Sequence, residues 1–469
     1  MKLRLLLATL PALALASCNF APKYVRPDAP VAPALPQGTA YPALGAAEAQ
    51  VDAIGWRDFF TDPRLQQVIA RSLADNRNLR ASLANVERAR ALYRVNRAAL
   101  FPIVNGSGTL SAVQGTQGRV TDNFLVQAGS SSYEIDLWGR LRNLTEAGFQ
   151  TWLATDEGRK STQIALVAET ASAWLSYAAT ADALRIAQET VATRKDTLAL
   201  NVRREAIGIG TKLEVATATS LLNTAETNVA DLQTNLAQAR NALELITGGP
   251  LPDDLLPTTL GAGDQVLGAL PVGLSSEVLL RRPDVLSAEH TLRAAYANIG
   301  AARAAFLPRL SITGLFGFAS PGLTRIFESG DFQKTANTQL GQRIFDGGAT
   351  ANNLKATKAT RDAALATYER AIQVAFREVA DALARRGTID ESLRAQTSLA
   401  ANAATAYRLS KLRYDSGVAN FLEPLDAQRT LYNAQQSLIA ARLTKASNMV
   451  ELYRALGGGL VEMTAAPEE

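Results

Sequence analysis

The chain is nearly without the residues that carry covalent and metal chemistry. Its 469 residues include one cysteine, Cys18, and one histidine, His290. A disulfide within the chain is therefore impossible, and no zinc finger or Cys/His metal cluster can be assembled. Three methionines argue against a methionine-lined copper path. With one His and one Cys no nucleophile–base pair or metal cluster can be assembled convincingly, so an enzyme is not expected, and no cofactor is expected either. Aromatic residues make up only 6% while alanine is abundant, which suits close-packed helices better than a sandwich core. The net charge of +4 is spread along the chain, with no basic stripe interleaved with aromatics, so nucleic acid is not an expected partner. After the N-terminal segment no stretch of 18 or more residues is apolar and uncharged, so the mature chain has no transmembrane helix. Any crossing of a membrane must then be made by a barrel of strands.

What is present begins with "MKLRLLLATLPALALASC". Lys2 and Arg4 precede an apolar run from Leu5 to Leu15, followed by small residues. This reads as a secretory signal over 1–17, too short to span a bilayer. Leu15, Ala16, Ser17 and Cys18 resemble the lipobox of bacterial lipoproteins, which makes Cys18 the expected lipidated first residue of the mature chain. Asn19 rather than Asp follows it, which by the bacterial sorting rule favours the outer membrane. Residues 18–61 form a lipidated N-terminal arm, rich in Pro and Ala and expected to lie extended on something else.

A long helix is expected from about Asp62 to Leu100, with Leu79, Leu83, Val86, Tyr93 and Leu100 on one stripe and Pro102 as its stop. The following segment sets Asn105, Ser107, Thr109 and Ser111 against Val104, Gly106, Gly108, Leu110 and Ala112, the alternation of a strand with one polar face. Strands are placed at about 103–113 and, with weaker alternation, 123–137. From Arg140 to about Ala206 proline is absent and Ile164, Val167, Ala171, Trp174 and Ala178 recur at spacings of three and four. "GIGTKLE" interrupts this helix, and a regular stripe from Leu222 through Val229, Leu236 and Leu243 to Ile246 follows.

The same order then returns. "RRPDVLSAEHTLRAAYANIGAARAAFLPRLSITG" matches "RNLRASLANVERARALYRVNRAALFPIVNGSG", with Pro308 at the place of Pro102 and Gly314 at that of Gly108. Strands are expected at about 309–319 and 335–345, and a second long helix from about Gly348 to Ser416. "LRYDSGVANFLEPLDAQ" interrupts that helix as "VRREAIGIGTKLEVATA" interrupts the first. Gly417 corresponds to Gly208, and Glu423 to Glu214. The chain is thus read as an internal duplication. The first repeat covers 62–247 and the second 273–459, joined by a linker at 248–272 in the equatorial region and followed by a tail at 460–469.

Four strands cannot close a membrane barrel, for which about eight are the minimum, and open edges are not tolerated in lipid. Copies of the chain must share one barrel. Two copies would supply eight strands around a filled interior; three would supply twelve and leave room for water. The polar faces carrying Asn105, Ser107, Thr109, Asn337, Gln339 and Arg343 favour three. The long helices carry charge throughout and belong in the periplasm.

The chain resembles the TolC-type outer membrane factors, in particular their lipoprotein branch of OprM, CusC and NodT-like channels. The resemblance is carried by "YEIDLWGRLRN" (133–143), "LLRRPDVLSAEHTLRAAYANIGAARAAFLPRLSITG" (279–314), "IFDGG" (344–348), "LRYDSGVANFLEPLDAQRTLYNAQ" (412–435) and "LYRALGGG" (452–459), and extends over essentially the whole mature chain. It implies a mainly α chain in which four strands per copy contribute to a shared 12-stranded trimeric β-barrel, continued by a long periplasmic α-helical barrel. It implies a passive exit duct of a tripartite efflux system for small molecules such as drugs. The partners implied are two further copies, outer membrane lipid, a periplasmic adaptor and an inner-membrane pump, usually of the resistance–nodulation–division type. It further implies that the second interruption lies at a gate, where Tyr414, Glu423, Asp426 and Arg429 occupy the family's gating positions. Ala419 departs from the pattern, since some relatives carry a charge there, which puts a latch through that site in doubt. Glu214 reads as a helix-start acid. The competing reading is a lipid-anchored periplasmic coiled-coil scaffold or adaptor, which would keep the helices but need no membrane strands.

Overall fold

In a computed structural model of the protein, the structure describes residues 19–42, 51–114, 118, 120–261, 267–268, 270, 276–326 and 332–464. The signal segment and Cys18 lie outside the described residues, as do parts of the linker and of the tail.

A helix α1, Pro63–Asp75, opens with Asp62 accepting from the Arg64 backbone amide and proline at its first turn. Helix α2, Arg77–Ala98, follows it after a break at Asn76. The single helix expected from Asp62 to Leu100 is therefore two. Asn76 is extended, and its amide serves both sides of the break. Its Oδ1 accepts from the Leu79 amide at 3.0 Å, and its Nδ2 donates to the Ile246 carbonyl at 2.8 Å. Such side-chain competition for backbone groups is why Asn interrupts helices. Of the expected stripe, Leu79 and Val86 are buried while Leu83 is about half exposed.

Four strands come next in two pairs, each followed by a helix of 67 residues: β1 Asn105–Gln114, β2 Val120–Ile135 and α3 Arg140–Ala206, then β3 Arg309–Ser320, β4 Phe332–Gly341 and α6 Ala349–Asp415. At 1.5 Å per residue each such helix is about 100 Å long. Helix α4, Lys212–Thr247, follows α3, and helix α7, Leu422–Ala455, follows α6. Helix α5, Pro283–Ala304, precedes β3 as α2 precedes β1. The same element order thus occurs twice. Among the described residues no helix is long and apolar enough to cross a membrane.

The strands form one antiparallel sheet in the order β1-β2-β3-β4, so β1 and β4 are its edges. Residues directly opposite share a face, and the register separates a mainly polar face from a mainly apolar one. One face collects Asn105, Ser107, Thr109 and Ser111 with Gln127, Asn123, Ser311, Thr313, Asn337 and Gln339. The other collects Leu110, Phe124, Val126, Ile135, Leu310, Ile312, Phe316, Phe318, Phe332 and Leu340. Lys334 interrupts this apolar face, with its ammonium 5.5 Å from the Phe332 ring. The weak alternation of β2 has a local cause. The register shifts between Ser130 and Tyr133, where Ser132 adopts φ 59° and donates its amide to Thr313 Oγ1 at 3.1 Å. A bulge inserts one residue, so the faces match only when counted on either side of it.

The chain divides into two compact units. The first comprises the described residues of Met1–Asp28, Ala84–Glu157 and Leu286–Ala371, and holds the sheet. Its helical core is small-residue packing, with Ala147, Ala294 and Ala297 in one cluster and Leu292 and Ile299 fully buried. The arm docks here. Glu289, 2% exposed, accepts from Tyr24 Oη at 3.0 Å, from Arg26 Nη2 at 2.5 Å and from Arg293 Nη2 at 2.6 Å. Burial raises the Glu289 carboxyl, but the Arg26 and Arg293 hydrogen bonds and charges outweigh it and hold it below its ordinary range. The Tyr24 hydroxyl is pushed up to about 12 by burial and by the Glu289 charge. The second unit comprises Ala29–Leu83, Gly158–Val285 and Ile372–Glu469, again as far as described. Trp174, Leu175, Leu243, Phe59, Phe60 and Tyr453 fill its core, with Phe59 stacked on Tyr453 at 4.1 Å. Arg282 is buried there between Asp284 and Glu378, both within 2.8 Å.

Candidate functional site

The two interruptions are helix–helix turns of one backbone design, both in the second unit. Gly208 and Gly417 take φ of 80° and 74°, the left-handed conformation in which any side chain is strained. After the first, the amides of Ile209 and Gly210 donate to the Arg204 carbonyl, each at 3.0 Å. After the second, those of Val418 and Ala419 donate to the Arg413 carbonyl at 2.9 and 3.3 Å. A left-handed residue that returns two amides to the last helical turn satisfies carbonyls that would otherwise be orphaned.

The side chains differ. In the first turn Thr211 and Glu214 form a reciprocal capping box. Thr211 Oγ1 accepts from the Glu214 amide at 3.2 Å, and Glu214 Oε2 accepts from the Thr211 amide at 2.8 Å. Glu214 is thus a helix-start acid. In the second turn Asn420 stands where Thr211 does, and its Oδ1 accepts from the amides of Leu422 and Glu423 at 3.0 and 3.3 Å. Glu423 does not complete a box. Its carboxylate pairs instead with Arg413 Nη1 at 3.0 Å, tying the end of α6 to the start of α7.

Tyr414 is buried, whereas Asp426 and Arg429 are about two-thirds exposed. The Tyr414 ring packs with Ala218, Phe421, Leu198 and Leu425, and its hydroxyl donates to Asn201 Oδ1 at 2.9 Å. Burial pushes that hydroxyl upward in pKa. The Arg204 guanidinium lies 5.1 Å from the same ring. Arg429 Nη2 donates to Asp426 Oδ1 at 2.6 Å, one turn apart on α7. Lys411 pairs with Asp415 at 2.7 Å, a hydrogen bond that raises its pKa. The structure therefore brings Tyr414, Glu423, Asp426 and Arg429 to one helix turn but pairs them with different groups. Asn201 and Arg204 complete the cluster around Tyr414. Sequence reasoning missed both, because nothing in a run of helical polar residues marks which one faces a tyrosine on another helix. Asn201 is itself 1% exposed, and its Nδ2 lacks a hydrogen-bond partner.

Elsewhere the single histidine is structural in setting, with His290 Nδ1 2.7 Å from Gln150 Oε1. Among the described residues no group of His, Cys, Asp and Glu could hold a metal ion.

The sequence model of the outer membrane efflux proteins matches the chain twice, over 68–249 and 274–458. The chain belongs to the outer membrane efflux protein family. The toluene efflux pump outer membrane protein TtgC of Pseudomonas putida is 41% identical over 458 residues, covering 96% of this chain and 94% of that protein. The open state of the Neisseria gonorrhoeae MtrE outer membrane channel superimposes with a TM-score of 0.88 at 36% identity, covering 96% of this chain and all of that one. A membrane protein from Pseudomonas aeruginosa superimposes with a TM-score of 0.87 at 37% identity, over 94% of this chain and all of that one. The resemblance to TolC-type factors holds over both matched segments. The chain is an outer membrane efflux protein.

Proposed function

We propose that three copies close their sheets into one 12-stranded barrel in the outer membrane, with the long helices forming a periplasmic helical barrel gated at its tip. The sheet is the observation that supports this reading. It has one polar and one apolar face, four strands and two edges. Such a sheet cannot face lipid alone, because each unpaired backbone group in hydrocarbon costs several kcal/mol. Closing three sheets on one another removes every edge, turns the apolar faces to lipid and leaves the polar faces around water. The scaffold alternative has no use for such a sheet. The repeats 62–247 and 273–459 are then duplicated halves, each supplying one hairpin of strands and one helical hairpin.

In this reading the second turn lines the constriction. Three Asp426 carboxylates around a narrow axis repel one another and attract cations, and Arg429 offsets that repulsion by pairing. Lipidation of Cys18 adds about 0.8 kcal/mol of membrane affinity per buried CH₂, a supplement to a barrel that already spans. The duct works with a periplasmic adaptor and an inner-membrane pump of the resistance–nodulation–division type. Relatives named for toluene and antibiotic efflux suggest small organic compounds as cargo. Conductance in planar bilayers tests the gate. A small, cation-selective conductance that rises in Asp426→Ala with Arg429→Ala is expected. Stable insertion with equal conductance in both proteins would move the gate away from the second turn. Failure to insert would sink the barrel itself.

A further inference from the structure

We infer that β4 of one copy joins β1 of the next in a single full-length register, Gly341 opposite Asn105 and Phe332 opposite Gln114, and that an apolar clasp closes this seam at its foot. The inference rests on the shared-barrel reading and goes beyond it by naming the register and the residues. Three observations carry it. The first is length: the two edge strands, Asn105–Gln114 and Phe332–Gly341, have ten residues each. β1 and β4 run in opposite directions within the sheet, so β4 meets the next copy's β1 antiparallel. Only one antiparallel register pairs all ten residues.

The second is the face pattern. In that register Gln339 opposes Ser107 and Asn337 opposes Thr109, all four from the polar face. Leu340 then falls opposite Gly106, and Ala336 opposite Leu110, all from the apolar face. A slip of one residue would set each residue of the polar face against one of the apolar face, Gln339 against Gly106 or Gly108 and Asn337 against Gly108 or Leu110. Slips of two or more leave strand ends unpaired in hydrocarbon.

The third lies just beyond the strands. Ile344 and Phe345, directly after β4, are 97% and 91% exposed. Phe101, Ile103 and Val104, directly before β1, are also exposed in the single chain. The register brings these two apolar groups together, with Phe101 of the next copy level with Phe345 and Ile103 level with Arg343. Among the described residues no other pair of segments at this end of the sheet is both apolar and left open by a sheet edge. The occupant of each group is therefore the other group, from a second copy.

Cysteine pairs test the register in the full-length protein. Residues directly opposite have Cα atoms about 4.5–5.5 Å apart, within disulfide range. A two-residue slip takes them to roughly 7–8 Å, beyond it. Chains carrying Ser107→Cys with Gln339→Cys, purified in detergent and oxidised mildly, should run mainly as a band of three chains that reductant collapses to one. Thr109→Cys with Asn337→Cys is a second in-register pair, should the first disturb folding. Linkage instead through Ser107→Cys with Asn337→Cys, or Ser107→Cys with Gly341→Cys, would overturn the register. Amine-reactive cross-linking of the unmodified chain separates the two levels. Trimers there without disulfide linkage from either in-register pair would defeat this inference alone, and no trimers at all would defeat the shared barrel. The clasp is read separately. Ile344→Ser with Phe345→Ser should lower the temperature at which trimers dissociate by roughly 5 °C or more, and an unchanged value would remove it.

Discussion

Replacing Glu289 by glutamine should release the N-terminal arm while leaving the helices beneath it in place. The carboxylate is buried, and it gathers two arginines and a tyrosine, of which Arg26 and Tyr24 belong to the arm. Removing one partner of a buried ion pair costs about 3–5 kcal/mol. Here the stranded arginines are not buried to the same depth. Arg26 and Arg293 side chains are 45% and 37% exposed, so water recovers part of the loss. The glutamine oxygen also still accepts one hydrogen bond. About 2 kcal/mol remains, which corresponds to roughly 30-fold in an equilibrium. The arm keeps two other ties, Arg303 Nη1 to the Phe20 carbonyl at 3.0 Å and Asn143 Nδ2 to Asn19 Oδ1 at 2.9 Å, so it should open more often rather than detach. Trypsin reads this directly. Lys23 is exposed but held in the docked arm, and Arg26 is protected from trypsin by the proline after it. With opening fast relative to cleavage, the rate of cutting after Lys23 follows the open population and should rise roughly 30-fold in Glu289→Gln. A rise of less than about threefold would mean that the arm is held by something other than this carboxylate, and the energetic argument would fail.

The same group sets an acid limit. Its folded-state pKa lies below its unfolded value, so its contribution is complete above about 4.3 and is lost as pH falls through the depressed folded value; a fluorophore at Lys23→Cys should report constant anisotropy from neutral pH to about 4.3 and a fall below it. Tyr414→Phe removes the bond to Asn201 and should weaken the second turn by about 1 kcal/mol, seen as about a fivefold higher open probability in bilayers. Gly417→Val places a branched side chain at φ 74° with nothing within 4 Å of its Cβ, so the cost is backbone strain of about 1–2 kcal/mol and should appear as a lower melting temperature. Ile312→Arg, on the apolar face, should reduce membrane insertion by about 2–4 kcal/mol, whereas Thr313→Arg on the opposite face should insert normally, and equal effects would show that the faces are misassigned.

Repetition and proline made much of this fold readable in the sequence. Pro102 and Pro308 mark where helices give way to β1 and β3, and alternation of polar and apolar residues marks those strands. The proline-free runs after Trp138 and Gly348 mark the two 67-residue helices. What escaped depended on contacts between residues far apart in the chain. The break at Asn76 is set by a carbonyl at Ile246, which no local pattern announces. The bulge at Ser132 blurs the alternation of β2 because one residue is counted out of phase. The docking of Arg26 on Glu289 joins a proline-rich arm to the middle of a helix, and neither segment carries a motif for the other.

The two turns share a backbone design and differ in what their side chains do. Gly208 and Gly417 bend the chain alike, and Glu214 and Glu423 occupy the same place after them. In sequence the two acids are indistinguishable. In the structure Glu214 is consumed by its own helix, since its carboxylate caps the amide of Thr211 and the turn is closed within itself. In the second turn Asn420 takes the Glu423 amide as Thr211 takes that of Glu214, but the Glu423 carboxylate turns to Arg413 instead of back to its own helix start. Glu423 is therefore left to an exposed pair with Arg413, and Asp426 to another with Arg429, interactions each worth about 0–1 kcal/mol. The firmer hold on this turn is Tyr414, buried against Phe421 and bonded to Asn201 on a different helix. A turn held by one buried side-chain bond and several exposed pairs can exchange those partners at low cost, whereas a closed capping box cannot. That inequality, rather than the presence of acids, is the physical ground for the proposal that the second turn is the gate and the first a fixed support.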